Sequence, residues 1–330
     1  MDSSQAQTID QENPRKWTRF FLNIPGLIAL TFLVIGITLH NGEGKKVVEA
    51  FRTMDPRWIS LAFFFQLCTY ICSACVWRWT MHHLDLRLSI RSMMKLGVKK
   101  LFVDQVIPTG GVGGTVLITR SLLKQNIPPA KATTGVLANF YSYYAAYTLA
   151  VMASLGILWT HSSMSSLVQK IAFFFLCIVC LILFTAWAVT RPTDNLWKRN
   201  LERFSIIKKL LAVLNTASPK QAVHPKILIP NIFFQMGVFI FDTATLTIIL
   251  HALGYDAFLP MLFASFMMSY VVETLGPIPG GLGIFESSSV AMLTLAHIPI
   301  STALVATLIL RGFTFWLPMI PGVILMRKDY

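Results

Sequence analysis

The sequence predicts an all-α polytopic membrane protein with about six full transmembrane helices and two re-entrant helical hairpins, arranged as two inverted-topology repeats. Apolar runs long enough to span a bilayer recur from end to end, basic residues collect on alternate loops, and a Pro/Gly-rich break recurs inside two shorter apolar segments. Each observation is a physical constraint, and together they leave little room for another fold class.

The 330 residues are 55% hydrophobic and only 13% charged, with a mean hydropathy of +0.62. Soluble domains carry about 25% charged residues, so a soluble two-domain protein is excluded. A hydrocarbon core of about 30 Å takes about 20 apolar residues as a helix. Spans are expected at about 21–40, 58–80, 131–160, 168–190, 227–252 and 300–325. Trp58, Trp77 and Trp79 anchor the second at the interfaces. The first run ends in Leu39-His40-Asn41 with no small-x-small cleavage site, so it is expected to remain as a span.

The net charge of +13 invites a nucleic-acid partner until its distribution is followed. Of the 28 Lys and Arg, 22 fall in the N-terminal tail, in 78–100, 120–131 and 191–226, and at the C-terminus. Lys45, Lys46, Arg52, Arg57 and Lys170 sit in the opposite loops, and Arg311 is alone in an apolar segment. This is the positive-inside asymmetry of a multi-pass protein of the cytoplasmic membrane with both termini in the cytoplasm. It is not a nucleic-acid footprint.

The organisation follows. Residues 1–19 are expected to be a polar, disordered cytoplasmic tail, 20–160 to form the first inverted repeat and 161–330 the second. Each repeat reads span, span, short hairpin, span. The hairpins cover about 91–123 and about 258–296, with tips IPTGGVGG (107–114) and IPGGLG (278–283). An odd number of full spans per half makes the second half enter with opposite orientation. The first hairpin then dips in from the cytoplasm and the second from outside. Paired Gly/Pro-interrupted short segments point to a transporter's substrate site, because irregular backbone at membrane depth must line a cavity or be buried in protein. Eight ordinary, slightly short helices joined by loops are the alternative.

The candidate substrate-binding residues cluster at these tips. Thr109, Gly110 and Gly111 lie in the first, flanked by Asp104 and Arg120; Gly280 and Gly281 lie in the second, flanked by Glu273 and Glu286. The glycines lack the strand context and Gly-Lys-Ser/Thr of nucleotide loops. They allow close backbone approach, and the helix that opens after each can present N–H groups to an anion. Intramembrane charges are costly and mark pathways, which singles out Glu273, Glu286, Arg311 and Asp242. An arginine fork matches phosphate oxygens. Two structural alternatives stay open: Glu286 as a complement to a helix dipole, and Arg311 as a fixed ion pair with Glu286 or Glu273. Tyr141, Tyr143, Tyr144 and Tyr147 beside Asn139 line a polar groove or form an interfacial aromatic belt. Cys68, Cys72, Cys75, Cys177 and Cys180 read as packing residues in apolar spans. No triad or metal cluster can be assembled, so neither an enzyme nor a cofactor is expected.

The second half, PGGLGIFESSSVAML (279–293) followed by IPISTALVATLILRGFTFWLPMIPGVIL (298–325), resembles the lysylphosphatidylglycerol synthase transmembrane region family. Its pattern is roughly P-G-G-x-G-x-x-E, then an Arg in an aromatic, Pro-ended span, matched by Gly280, Gly281, Gly283, Glu286 and Arg311. The resemblance covers about 15–327. The first half departs from the family's Pro-Gly-Arg-Gly-Gly-Glu-like turn: IPTGGVGGTVLITR has no Glu, and only Arg120 corresponds to the following Arg. Asn139-Phe140-Tyr141 stands where members often carry Glu-Arg. The resemblance implies lipid movement rather than lipid synthesis, and the soluble aminoacyl-transfer domain of the synthases is not expected in this chain.

The expected function is therefore a lipid flippase or transporter. It moves an anionic phospholipid, an aminoacylated lipid or a polyprenyl-phosphate lipid between leaflets through a polar cavity between the hairpins. A homo-oligomer is compatible with this. The alternative is a non-transporting scaffold or accessory subunit for a lipid-modifying enzyme or glycosyltransferase.

Overall fold

The computed structural model describes residues 54–106, 112–161, 217–276 and 278–327, together with Glu49, Lys170, Phe173 and Cys177. The span expected at 21–40, nearly all of that expected at 168–190, most of the 191–226 loop and the 107–111 part of the first tip lie outside the described residues. Among the described residues every regular element is helical.

Helix α1 (Pro56–His83) starts where Asp55 accepts a hydrogen bond from the Arg57 amide at 2.9 Å, with Pro56 supplying a first position that needs no donor. After it come α2 (Ile90–Val106), α3 (Val112–Lys124) and the long α4 (Pro129–His161). A short α5 (Pro219–Ala222) precedes α6 (Pro225–Ala252), which is capped by the His224 ring on the Lys226 amide. Then follow α7 (Leu259–Leu275), a tight turn at Pro279–Gly281, and α8 (Ile284–Leu295). The last span runs from Ile300 to Met326 as α9 (Ile300–Arg311), a π-helical segment (Gly312–Trp316) and α10 (Leu317–Arg327).

Among the described residues four helices are long and apolar enough to cross a membrane: Pro56–His83, Pro129–His161, Pro225–Ala252 and the Ile300–Met326 span. They bracket the spans expected at 58–80, 131–160, 227–252 and 300–325. The break inside the last is the difference from the sequence expectation. Leu317 donates its amide to Gly312 rather than to Phe313. Pro318, one residue later, has no amide to offer Thr314. Two carbonyls are thereby left over at membrane depth, where each must find a donor inside the protein. Tyr70 of α1 donates its hydroxyl to Phe313 O at 2.7 Å, and Gln105 of α2 donates its amide to Thr314 O at 3.2 Å.

Element lengths and packing recur along the chain. α1 and α6 are both 28 residues, α2 and α7 both 17, α3 and α8 13 and 12. α1 packs along α6, α2 packs on α3 as α7 does on α8, and each first arm lies against the last span of the other half: α2 on α10, α7 on α4. Interhelical polar pairs fasten these contacts where lipid offers no competing solvent. Asn231 donates to Thr80 at 2.6 Å across α6 and α1, and the Tyr147 hydroxyl meets Thr274 at 3.1 Å across α4 and α7. One core, around Tyr147, Phe239, Met267 and Phe285, fills the space between α4, α6, α7, α8 and α9. Another joins the halves, packing Phe102, Val103 and Val106 of α2 against Leu282, Phe315 and Met319.

Candidate functional site at the glycine tips

The second tip is built from backbone that only glycine adopts comfortably. Gly280, Gly281 and Gly283 have φ of 58°, 60° and 81°, in the left-handed region that costs an L-residue about 1–2 kcal/mol. Space is equally restrictive. A Cβ on Gly281 would stand 2.6 Å from Glu273 Oε1, and one on Gly280 would run into the Phe315 ring while lying 3.3 Å from the Gln105 carbonyl. The turn thus brings the carboxylate of α7 onto its own backbone and seats the tip against the end of α2.

Arg311 closes this arrangement. Its Nε donates to Glu286 Oε1 at 2.9 Å, Nη1 to Glu273 Oε1 at 3.3 Å and Nη2 to the Gly280 carbonyl at 2.8 Å. The guanidinium lies 4.4 Å from the centre of the Phe285 ring and 5.4 Å from that of Phe315, positions in which an aromatic face attracts a cation. Arg311 is 7% exposed and Glu286 8%. Glu286 uses its other oxygen to accept the Gly283 amide at 2.6 Å, so it holds Arg311 and caps α8 at once. The three charged residues singled out from sequence around this tip therefore form one group, with two carboxylates to one guanidinium.

The first tip shows the same device with different residues. Asp104, on the arm before it, accepts the Gly114 amide at 2.9 Å with Oδ1 and pairs with Lys100 at 2.6 Å through Oδ2. A Cβ on Gly114 would collide with that carboxylate, as one on Gly281 would with Glu273. The helix starts after both tips thus already carry an anion, the protein's own: Asp104 on Gly114 and Glu286 on Gly283. Arg120 lies further along α3, partly buried. Thr109, Gly110 and Gly111 fall outside the described residues.

Sequence reasoning missed four contributors. Gln105 touches both the tip turn and the π segment, Tyr70 reaches the same segment from α1, and Gln66 with Thr69 binds Asp242. Their common signal was polarity inside apolar runs. The tyrosines also resolve. Tyr147 is fully buried and the Tyr143 hydroxyl meets that of Tyr270 at 3.2 Å, so these two brace the arm carrying Glu273 rather than sitting in an interfacial belt.

The chain matches the family described as Lysylphosphatidylglycerol synthase TM region over residues 25–322. It is also similar to the UPF0104 membrane protein MJ1595 of Methanocaldococcus jannaschii, with 19% identity over 313 residues, covering 91% of this chain and 93% of the relative.

Proposed function

Because this chain belongs to the lysylphosphatidylglycerol synthase transmembrane-region family, we propose that it is a lipid flippase or transporter, moving an anionic or phosphate-bearing amphipathic lipid between leaflets rather than modifying it. The observation that carries the reading is the doubled glycine tip. Two hairpins of matching arm lengths each press an acid onto a tip glycine, and the end of one meets the turn of the other at Gln105 and Gly280. In this reading the two halves are inverted repeats, the hairpins are re-entrant, and both termini face the cytoplasm.

The headgroup phosphate competes with the protein's own carboxylates. At the first tip it takes over the Gly114 amide held by Asp104, with Arg120 and Lys100 as cations. At the second it replaces the Glu273 contact to Arg311, which at 3.3 Å is the longest of that residue's three bonds. Glu286 stays bound and keeps Arg311 aimed. Alternating access comes from movement of the first hairpin against the last span, across the apolar contact of α2 with α10.

The test is reconstitution into liposomes with a panel of headgroup-labelled lipids, comparing wild type with Arg311→Ala and Glu286→Gln. Wild type is expected to move at least one anionic lipid, and both variants to move it more slowly while remaining inserted. Folded wild type that moves no lipid of a broad panel overturns the reading. Inserted variants that retain full activity remove the second tip from the pathway.

A further inference from the structure

Neither tip uses Asp242, yet it is an acid near the middle of the spanning helix α6. Its Oδ1 accepts two hydrogen bonds from α1, from Thr69 Oγ1 at 2.9 Å and from Gln66 Nε2 at 3.1 Å. Its Oδ2 has no hydrogen-bond partner among the described residues, and the carboxyl group is not sealed in: Asp242 is only partly buried. Gln66 is 1% exposed, and its Oε1 also lacks a hydrogen-bond partner.

Among the described residues no Lys or Arg forms an ion pair with Asp242. On α1, Tyr70 and Cys72 lie within about one turn of Thr69, and α7, which packs on α6, carries Tyr270. Of the other elements packed on α6, α4 brings Tyr143, Tyr144 and Tyr147, α5 brings Lys220 beside the far end of α6, and α9 brings Arg311, whose bonds go to Glu273, Glu286 and Gly280. The apolar stretches 21–39 and 171–190 contain no Lys or Arg. A permanently ionised carboxylate without a counter-ion at this depth is costly, and such acids commonly mark proton relays. Here Oδ1 can keep both donors in the acid and in the carboxylate form, while Oδ2 is where a proton attaches.

The site also has a line to the moving parts. Tyr70, one turn along α1 from Gln66, holds the Phe313 carbonyl of the π segment, two residues beyond Arg311. We propose that Asp242 binds and releases a proton during the working cycle, with Gln66 and Thr69 as the donors that hold it and Tyr70 as the link to the last span. The proposal rests on the lipid-transport reading only for the use to which the proton is put.

Two measurements on the full-length protein test it. In lipid nanodiscs, infrared difference spectra across a pH series should contain the C=O band of a protonated carboxyl. That band should be lost in Asp242→Asn, retained in Asp242→Glu and displaced in Gln66→Leu. In liposomes, an imposed pH gradient at matched sodium should speed lipid movement several-fold in wild type and leave Asp242→Asn unaffected. A band unchanged in Asp242→Asn, or no titrating carboxyl band in folded wild type, overturns the proposal. So does a variant that responds to the gradient as wild type does, or a wild type driven by sodium alone. Wild type that moves no lipid under any gradient overturns the transport reading instead, and the infrared result then decides Asp242 by itself.

Discussion

A guanidinium presents its N–H groups in one rigid plane, and at Arg311 three nitrogens reach acceptors on three segments: Glu286 in α8, Glu273 in α7 and the Gly280 carbonyl of the turn. Removing one partner of a buried ion pair costs on the order of 3–5 kcal/mol, because the other charge stays buried and uncompensated. Arg311→Ala is therefore expected to lower the thermal unfolding midpoint sharply in detergent, and Arg311→Lys to recover little, since a single ammonium cannot serve all three acceptors in one plane. Full recovery by lysine would show that charge alone matters at this position. The glycines separate conformation from mere flexibility in the same assay. Gly281→Ala should cost at least the 1–2 kcal/mol or so of a left-handed residue, plus the displacement of Glu273. Gly156→Ala, with nothing within 4 Å of its new Cβ inside α4, should be neutral or stabilise by up to about 1 kcal/mol. Sequence alone marked Glu273, Glu286 and Arg311 as costly in lipid, which is a property of each residue. It left the fixed ion pair as an alternative, because deciding that needs the depth of all three together with the turn that closes over them.

The last span shows why some elements were legible and others were not. α1, α4 and α6 are continuous apolar runs bounded by prolines and caps, and their limits follow from composition to within a few residues. The π segment rests instead on Tyr70 and Gln105, which lie 243 and 209 residues away in sequence from the carbonyls they satisfy. Pro318 was visible, but a proline in an apolar span predicts an orphan carbonyl without saying which side chain fills it. Tyr70→Phe should leave the Phe313 carbonyl without its donor and cost about 1–3 kcal/mol, read as a lower unfolding midpoint. An unchanged midpoint would mean that another donor takes over. Pro318→Ala restores the missing amide and lets Thr314 be bonded within the helix. It should raise hydrogen-exchange protection across 312–318 and slow lipid movement if this segment flexes in the cycle. Faster movement with greater protection would contradict that role.

For the molecule as a whole, two glycine tips of different sequence serve one architecture. IPTGGVGG and IPGGLG both interrupt short apolar arms in the sequence, and the arms they join are of similar length in the structure. How the halves engage was not legible, because the α2–α10 and α7–α4 contacts depend on which face each helix turns to its neighbour. On α10 that face is marked by Gly322, where a Cβ would stand 2.6 Å from the Phe102 Cβ. If lipid passes by movement of the first hairpin against the last span, a bond across this contact must stop it. Phe102→Cys with Gly322→Cys, in a background lacking the five native cysteines, brings two sulfurs together, and a disulfide forms once α2 and α10 part by about 1 Å, from the 2.6 Å between the two Cβ positions to the separation of about 3.8 Å that the bond takes. The deciding measurement is labelled-lipid movement in liposomes carrying this variant, before oxidation, after oxidation and after reduction. The account predicts movement that ceases on oxidation and returns on reduction. Undiminished movement with the cross-link fully formed would contradict it.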